Sequence, residues 1–178
     1  VGAVLTAGQA WAADAESCKK VRLSDVGWTD IQVTTGVAYN LLTALGYEPE
    51  VTQLSVAVTL TALKENDIDV FLGNWMPTQT DALKPYTDEG SIEQLSLNLE
   101  GAGFGPVVPT YVYDAGVKTL ADLGANAEKF GGKMYGIEAG SSGNKNLQEM
   151  IEKNELPGFE LVESSEAGML TEAEQRMK

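Results

Sequence analysis

The sequence predicts an α/β fold with parallel sheets, divided between two lobes. Two observations carry that reading. Short apolar runs of strand length alternate with amphipathic runs of helix length, the signature of repeated βα units. In addition, Gly101, Gly103, Gly105 and Pro106 fall within six residues, which marks a crossing between two units. The 178 residues are enough for one domain or two small lobes with a buried core. A hydrophobic content of 43% with 21% charged residues is that of a globular chain.

The elements follow in order. Residues 21–26 alternate apolar and polar and predict the first strand. A helix follows from Thr29, where Thr29-x-x-Gln32 fits a capping box with Asp30 in the first turn. Val33, Val37, Leu41 and Leu45 form its apolar stripe, Ala38 and Leu42 broaden it, and Gly46 stops it. Residues 50–54 predict a second strand, 56–64 a second helix ending near Asn66, and 69–73 a strand buried on both faces. A helix around residues 80–86 closes the first lobe, taken as residues 13–104. In the second lobe, residues 107–113 read as extended and 119–130 as helical. Strands at 133–138 and 159–162 each precede a helix, at 144–154 and from Glu166 onward.

Charge and composition exclude several functions. With 26 acidic against 12 basic residues the net charge is −14, which repels a phosphate backbone, so nucleic acid is not an expected partner. There is no His, which removes Ser-His-Asp and Cys-His catalysis and the commonest metal ligand. The single Cys18 forms no internal disulfide; it is free or paired beyond Lys178. No paired nucleophile and base stands out, so no catalytic residue, metal or cofactor is expected. Gly101-x-Gly103-x-Gly105 lacks the spacing of a dinucleotide loop, and Pro106 stands where a helix would open.

The ends carry their own expectations. Residues 1–12 are uncharged, and an apolar small-residue run leads into Ala10-Trp11-Ala12. That pattern predicts the remnant of a signal peptide, cleaved after Ala12 or Ala13, and hence export. At the other end, residues 171–178 break off in an amphipathic run with no Gly, Asn or Pro to close it, which predicts that the C-terminal part is missing.

The residues with most to say about chemistry are aromatic. Trp28 follows the first strand and Trp75 the third. In an open parallel sheet ligands bind beyond the carboxyl ends of the strands, where strand order reverses. With the order 2-1-3, both indoles reach one edge, Asp30 lies close by, and Phe104 at the crossing reaches the same cleft. Two indoles, a phenyl ring and a carboxylate make a cage for a quaternary ammonium. Spacing alone also fits plainer roles. Trp28 suits a staple against Val33, Asp30 complements the helix dipole, and Trp75 suits ordinary core.

The stretches 24–30 and 67–77, followed by Val108-Pro109-Thr110-Tyr111-Val112 and Tyr135-Gly136-Ile137-Glu138, resemble the glycine betaine/choline family of ABC-importer substrate-binding proteins, its choline-binding members above all. The likeness runs from about Cys18 to the end. It implies a two-lobed type II periplasmic-binding fold that closes on its ligand. Residue by residue it implies that Trp28 and Trp75 wall a trimethylammonium group and that Asp30 accepts the choline hydroxyl. Phe104 stands where the family has a Tyr wall, and Ser141 where it has an Asn that contacts the hydroxyl, with Asn144 nearby. A fourth aromatic wall and a partner for Cys18 are implied beyond Lys178. The implied partners are choline or a similar quaternary ammonium and an ABC permease at the inner membrane, with the protein in the periplasm. A glycine betaine or carnitine binder, a sensory module of the same fold and an exported enzyme are the alternatives.

Overall fold

The computed structural model describes residues 15–177. The signal-peptide reading of residues 1–12 falls outside them. A short 3-10 turn at Glu16–Cys18 leads into β1 (Lys20–Asp25), α1 (Thr29–Ala44), β2 (Glu48–Gln53), α2 (Val56–Lys64), β3 (Val70–Phe71) and α3 (Thr80–Asp88). The second unit runs α4 (Thr110–Asp114), α5 (Leu120–Ala125), β4 (Lys133–Gly136), α6 (Ser142–Glu152), β5 (Glu160–Glu163) and α7 (Glu166–Arg176), with a 3-10 turn at Ala127–Phe130. Residues 89–109 connect the two without helix or strand.

The units hold separate sheets. The first is parallel in the order β2-β1-β3, as the two-tryptophan argument requires. The second pairs β4 with β5, also parallel. Leu23, Val26, Ile31, Leu60, Ile68 and Leu83 are buried in the first unit. A polar pair sits among them and satisfies itself: the Ser24 and Thr59 hydroxyls lie 2.6 Å apart, and each is essentially inaccessible. In the second unit Leu123, Ala127, Leu147, Leu156 and Phe159 form the core, with Phe130 tilted against Phe159 at 6.0 Å.

Helix starts follow local chemistry. Ser55, Ser141 and Ser165 cap α2, α6 and α7 by accepting backbone N–H groups of Val58, Asn144 and Gly168. Thr119 and Asp122 form a full capping box on α5. Asn66, at φ 59°, lies just past α2, a left-handed position that Asn tolerates.

Three expectations change. Helix α1 turns its Val33, Val37, Leu41 and Leu45 stripe outward, and each is 56–74% exposed. The inward stripe is Ile31, Thr35, Ala38 and Leu42, which has the same period but is rotated by about a third of a turn, so that of the expected residues the flanking Ala38 and Leu42 face inward and the four central ones do not. Ile31 sets that rotation by packing at Gly73, where a Cβ would approach its side chain to 3.0 Å. Residues 107–113 do not stay extended. Pro109 accepts from Val112 and Tyr113 and starts α4, so one helical turn overrides the β-propensity of its aromatic and branched residues. Strand β3 is two half-buried residues: the Asp69 N–H still donates to Arg22 O at 2.8 Å, but the Arg22 N–H is taken by the Asp69 carboxylate and not by a backbone carbonyl.

That Asp69 carboxylate accepts from Arg22 N–H at 2.7 Å, from Nε at 3.0 Å and from Nη2 at 2.7 Å, tying β1 to the entry of β3. The Arg22 side chain holds the Asp69 carboxyl below its ordinary range. A depressed folded-state value means the stabilisation is present at neutral pH and is lost as pH falls through that lowered range. Asp69→Asn should cost about 0.5–1 kcal/mol in urea unfolding at neutral pH, since the pair is about a third exposed. The gap from the parent should close in acid. A gap that is constant with pH would show that the pairing charge is not its source.

Candidate functional site

The site starts from strand register. Ser24 of β1 pairs with Phe71 of β3, and Trp28 and Trp75 each follow their paired residue by the same four positions. Both indoles therefore leave the sheet at one edge. The two turns that carry them depend on glycine. Gly27 has φ 82°, its N–H is taken by Asp25 Oδ1 at 2.6 Å, and a side chain there would run into Gln53. Gly73 lies so close to the Phe71 ring that a Cβ would sit 2.7 Å from it.

Trp28, Asp30, Trp75 and Phe104 line one cavity of about 230 Å³. The opposite wall comes from the second unit: Ile137 after β4, Ser141 to Gly143 at the start of α6, and Glu166, Met169 and Leu170 from α7. The register of the first sheet and the turns of the second unit thus meet over a shared space.

Each indole N–H is held by a carboxylate. Trp75 Nε1 donates to Asp30 Oδ2 at 3.2 Å. Trp28 Nε1 donates to both oxygens of Glu138, at 3.1 and 3.0 Å. Tethering the ring edges fixes the planes, so the faces can serve as walls. It also sets negative charge beside rings whose faces already favour cations. A carboxylate offers about four lone-pair sites, so Asp30 keeps accepting capacity while holding Trp75.

Among the lining residues Asp30 and Glu166 are acidic, and none is Lys or Arg. Four helix N-termini, of α1, α3, α6 and α7, contribute to the lining, and each is partially positive. The carboxylates at the first turns of α1 and α7 offset that field.

The structure distributes the sequence candidates unevenly. Trp28, Asp30, Trp75, Phe104 and Ser141 all line the cavity. Ser141 is 4% exposed, and its Oγ also accepts the Asn144 N–H to cap α6. Asn144 lies outside the lining. Its amide donates to Ile137 O, Glu138 O and Glu163 Oε1 and accepts from Ile137 N, so it is consumed in pinning the turn between β4 and α6. The capping box expected at Thr29 does not form either. Trp28 is the N-cap residue, with no side-chain cap, and the Thr29 hydroxyl donates elsewhere, to Glu166 at 2.9 Å.

Sequence reasoning missed Glu138, Gly143 and Glu166. Glu166 carried a signal, as an acid in the first turn of a helix after a parallel strand. Gly143 carried none: its importance comes from the Phe104 ring, which packs where a Cβ would stand.

Two parallel α/β units meeting over an aromatic-walled cavity define the class as a two-lobed ligand-binding protein of the type II periplasmic-binding fold. Residues 19–178 match the substrate-binding domain of ABC-type glycine betaine transport systems, and the chain belongs to that family. A solved ABC-transporter choline-binding protein in complex with choline superposes with a TM-score of 0.81 and 45% identity, covering 92% of this chain and 57% of that one. Lactococcal OpuAC, in its closed form complexed with glycine betaine, gives a TM-score of 0.77 and 26% identity over 89% of this chain and 60% of its own. An uncharacterised protein of Chromohalobacter salexigens is 50% identical over 131 residues, 74% of this chain and 84% of its own length. The chain therefore spans 57–60% of the length of those two solved structures.

If Phe104 is a wall of a quaternary-ammonium site and is seated by Gly143, then Gly143→Ala should displace the ring and weaken binding of tetramethylammonium as much as Phe104→Ala should. The loss of one cation–π face corresponds to about 0.5–2 kcal/mol. Calorimetry on the double variant should show no further loss. Fully additive effects would show that Gly143 acts on the site by another route.

Proposed function

We propose that this protein captures choline, or a closely related cationic quaternary ammonium, as the exported binding component of an ABC importer, and delivers it to the permease at the inner membrane. One observation carries the reading. Three aromatic rings line a single cavity whose charged lining residues are carboxylates. Trp28, Trp75 and Phe104 offer faces to the trimethylammonium group, and Asp30 accepts the hydroxyl. Ser141, at the cap of α6, faces the same space. The role is capture and release rather than catalysis.

The same lining favours choline over glycine betaine. A betaine carboxylate needs donors, while Asp30 and Glu166 repel it and no Lys or Arg stands among the lining residues to receive it. The choline-bound solved relative supports this choice at 45% identity; the glycine betaine-bound one is more distant at 26%. Periplasmic placement and the permease partner rest on family membership.

Calorimetry of the intact protein with choline, tetramethylammonium and glycine betaine tests the reading. Choline should bind tightest and glycine betaine at least about tenfold more weakly, a difference of about 1.4 kcal/mol. Trp28→Ala and Trp75→Ala should each weaken choline, by up to about 30-fold from the lost cation–π face alone. Glycine betaine binding more tightly than choline would overturn the assignment.

A further inference from the structure

Four hydrogen bonds that join the two units fall on two consecutive residues of the first. Trp28 Nε1 donates twice to Glu138. Thr29 donates twice to Glu166, from its backbone N–H to Oε2 at 2.9 Å and from its hydroxyl to Oε1 at 2.9 Å. Trp28 and Thr29 are the N-cap and first residue of α1, and α1 has no side-chain cap of its own. The first N–H groups of any helix need partners from outside it. Here the partner comes from α7 in the other unit.

We infer that Glu166 is a cap for α1 supplied across the cleft, and that with Glu138 it latches the two units together over the ligand. The bonds exist only when the units are closed. When the cleft opens, Thr29 and the Trp28 indole turn to water, and the carboxylates are separated from them. The two acids therefore stabilise the closed form alone and shift the closure equilibrium. A ligand that requires closure binds more weakly by the factor lost from the closed population.

Position in the site separates the two acids. Glu138 does not line the cavity, so it is a positioning residue that sets the Trp28 plane and the closed state. Glu166 does line it, so its charge also faces the ligand. Thr29 resolves that overlap. It is uncharged, lies outside the lining, and makes both bonds to Glu166. Removing its hydroxyl weakens the latch without altering the field at the cavity.

The ligand arm of this inference rests on the choline reading; the closure arm does not. Stopped-flow dissociation of choline and of tetramethylammonium is measured for the intact protein and for Thr29→Val, Glu166→Ala and their combination. Thr29→Val should speed release of both ligands by a similar factor, about two- to tenfold. In the Glu166→Ala background it should add little, because the partner is gone. Glu138→Gln keeps an acceptor for the indole and should retain more affinity than Glu138→Ala. In parallel, fluorescence energy transfer between one label on each unit reports closure without ligand, where Thr29→Val and Glu166→Ala should both shift the protein toward the open form. Unchanged release and unchanged closure in Thr29→Val would overturn the latch, as would an effect that persists in full without Glu166. If the parent binds neither cation, the choline reading fails, and the ligand-free closure measurement still decides the latch.

Discussion

An indole N–H bound to a carboxylate is the interaction on which this cleft depends. Among the described residues it occurs twice, Trp75 on Asp30 and Trp28 on Glu138, and it does two things at once. It fixes the plane of a ring that would otherwise turn about two side-chain torsions. It also places a negative charge at the edge of a wall whose face favours positive charge. Because Asp30 lies on α1 and Trp75 follows β3, the first bond also braces the lobe-one half of the site. Because Glu138 lies beyond β4, the second spans the cleft.

That arrangement resolves an electrostatic conflict in the fold. Parallel sheets bring helix N-termini to the edge where ligands bind, and those ends favour anions. Four of them contribute to this lining. A cation is accommodated there only if fixed negative charge exceeds the helix fields. Asp30 and Glu166, each in the first turn of a helix, lie where the positive potential is greatest. The notion that Asp30 complements a helix dipole and the proposal that it serves a cationic ligand are therefore compatible.

The parts legible in the sequence were those set by local chemistry and period. Alternating βα units, the place of Trp28 and Trp75 after their strands, and the end of α2 just before Asn66 all follow from residue order and turn propensity. So does the 2-1-3 order, once the fold class is accepted. What stayed hidden was set by distant partners. The more hydrophobic stripe of α1 faces outward because the turn after β1 and the close contact of Ile31 at Gly73 fix the helix rotation, and period alone cannot give its phase. Thr29 looked like half of a capping box because Gln32 stands at the right spacing, yet its bonding partner lies 137 residues away. Asn144 was a candidate because it lies three residues from Ser141, where the resemblance implies an Asn; its amide instead satisfies the backbone of the turn between β4 and α6. Glu138 and Gly143 gain their roles only through residues of the opposite wall.

The central claim is that a trimethylammonium group sits between the tethered indoles. A crystal structure of the intact protein with choline tests it most directly. The account predicts the choline nitrogen within about 6 Å of the centroids of both the Trp28 and the Trp75 ring, the range of an effective cation–π contact. It also predicts the choline hydroxyl directed at Asp30, with Trp75 Nε1 still on that carboxylate. Choline bound with its nitrogen away from both ring faces, or at another surface of the protein, would contradict it.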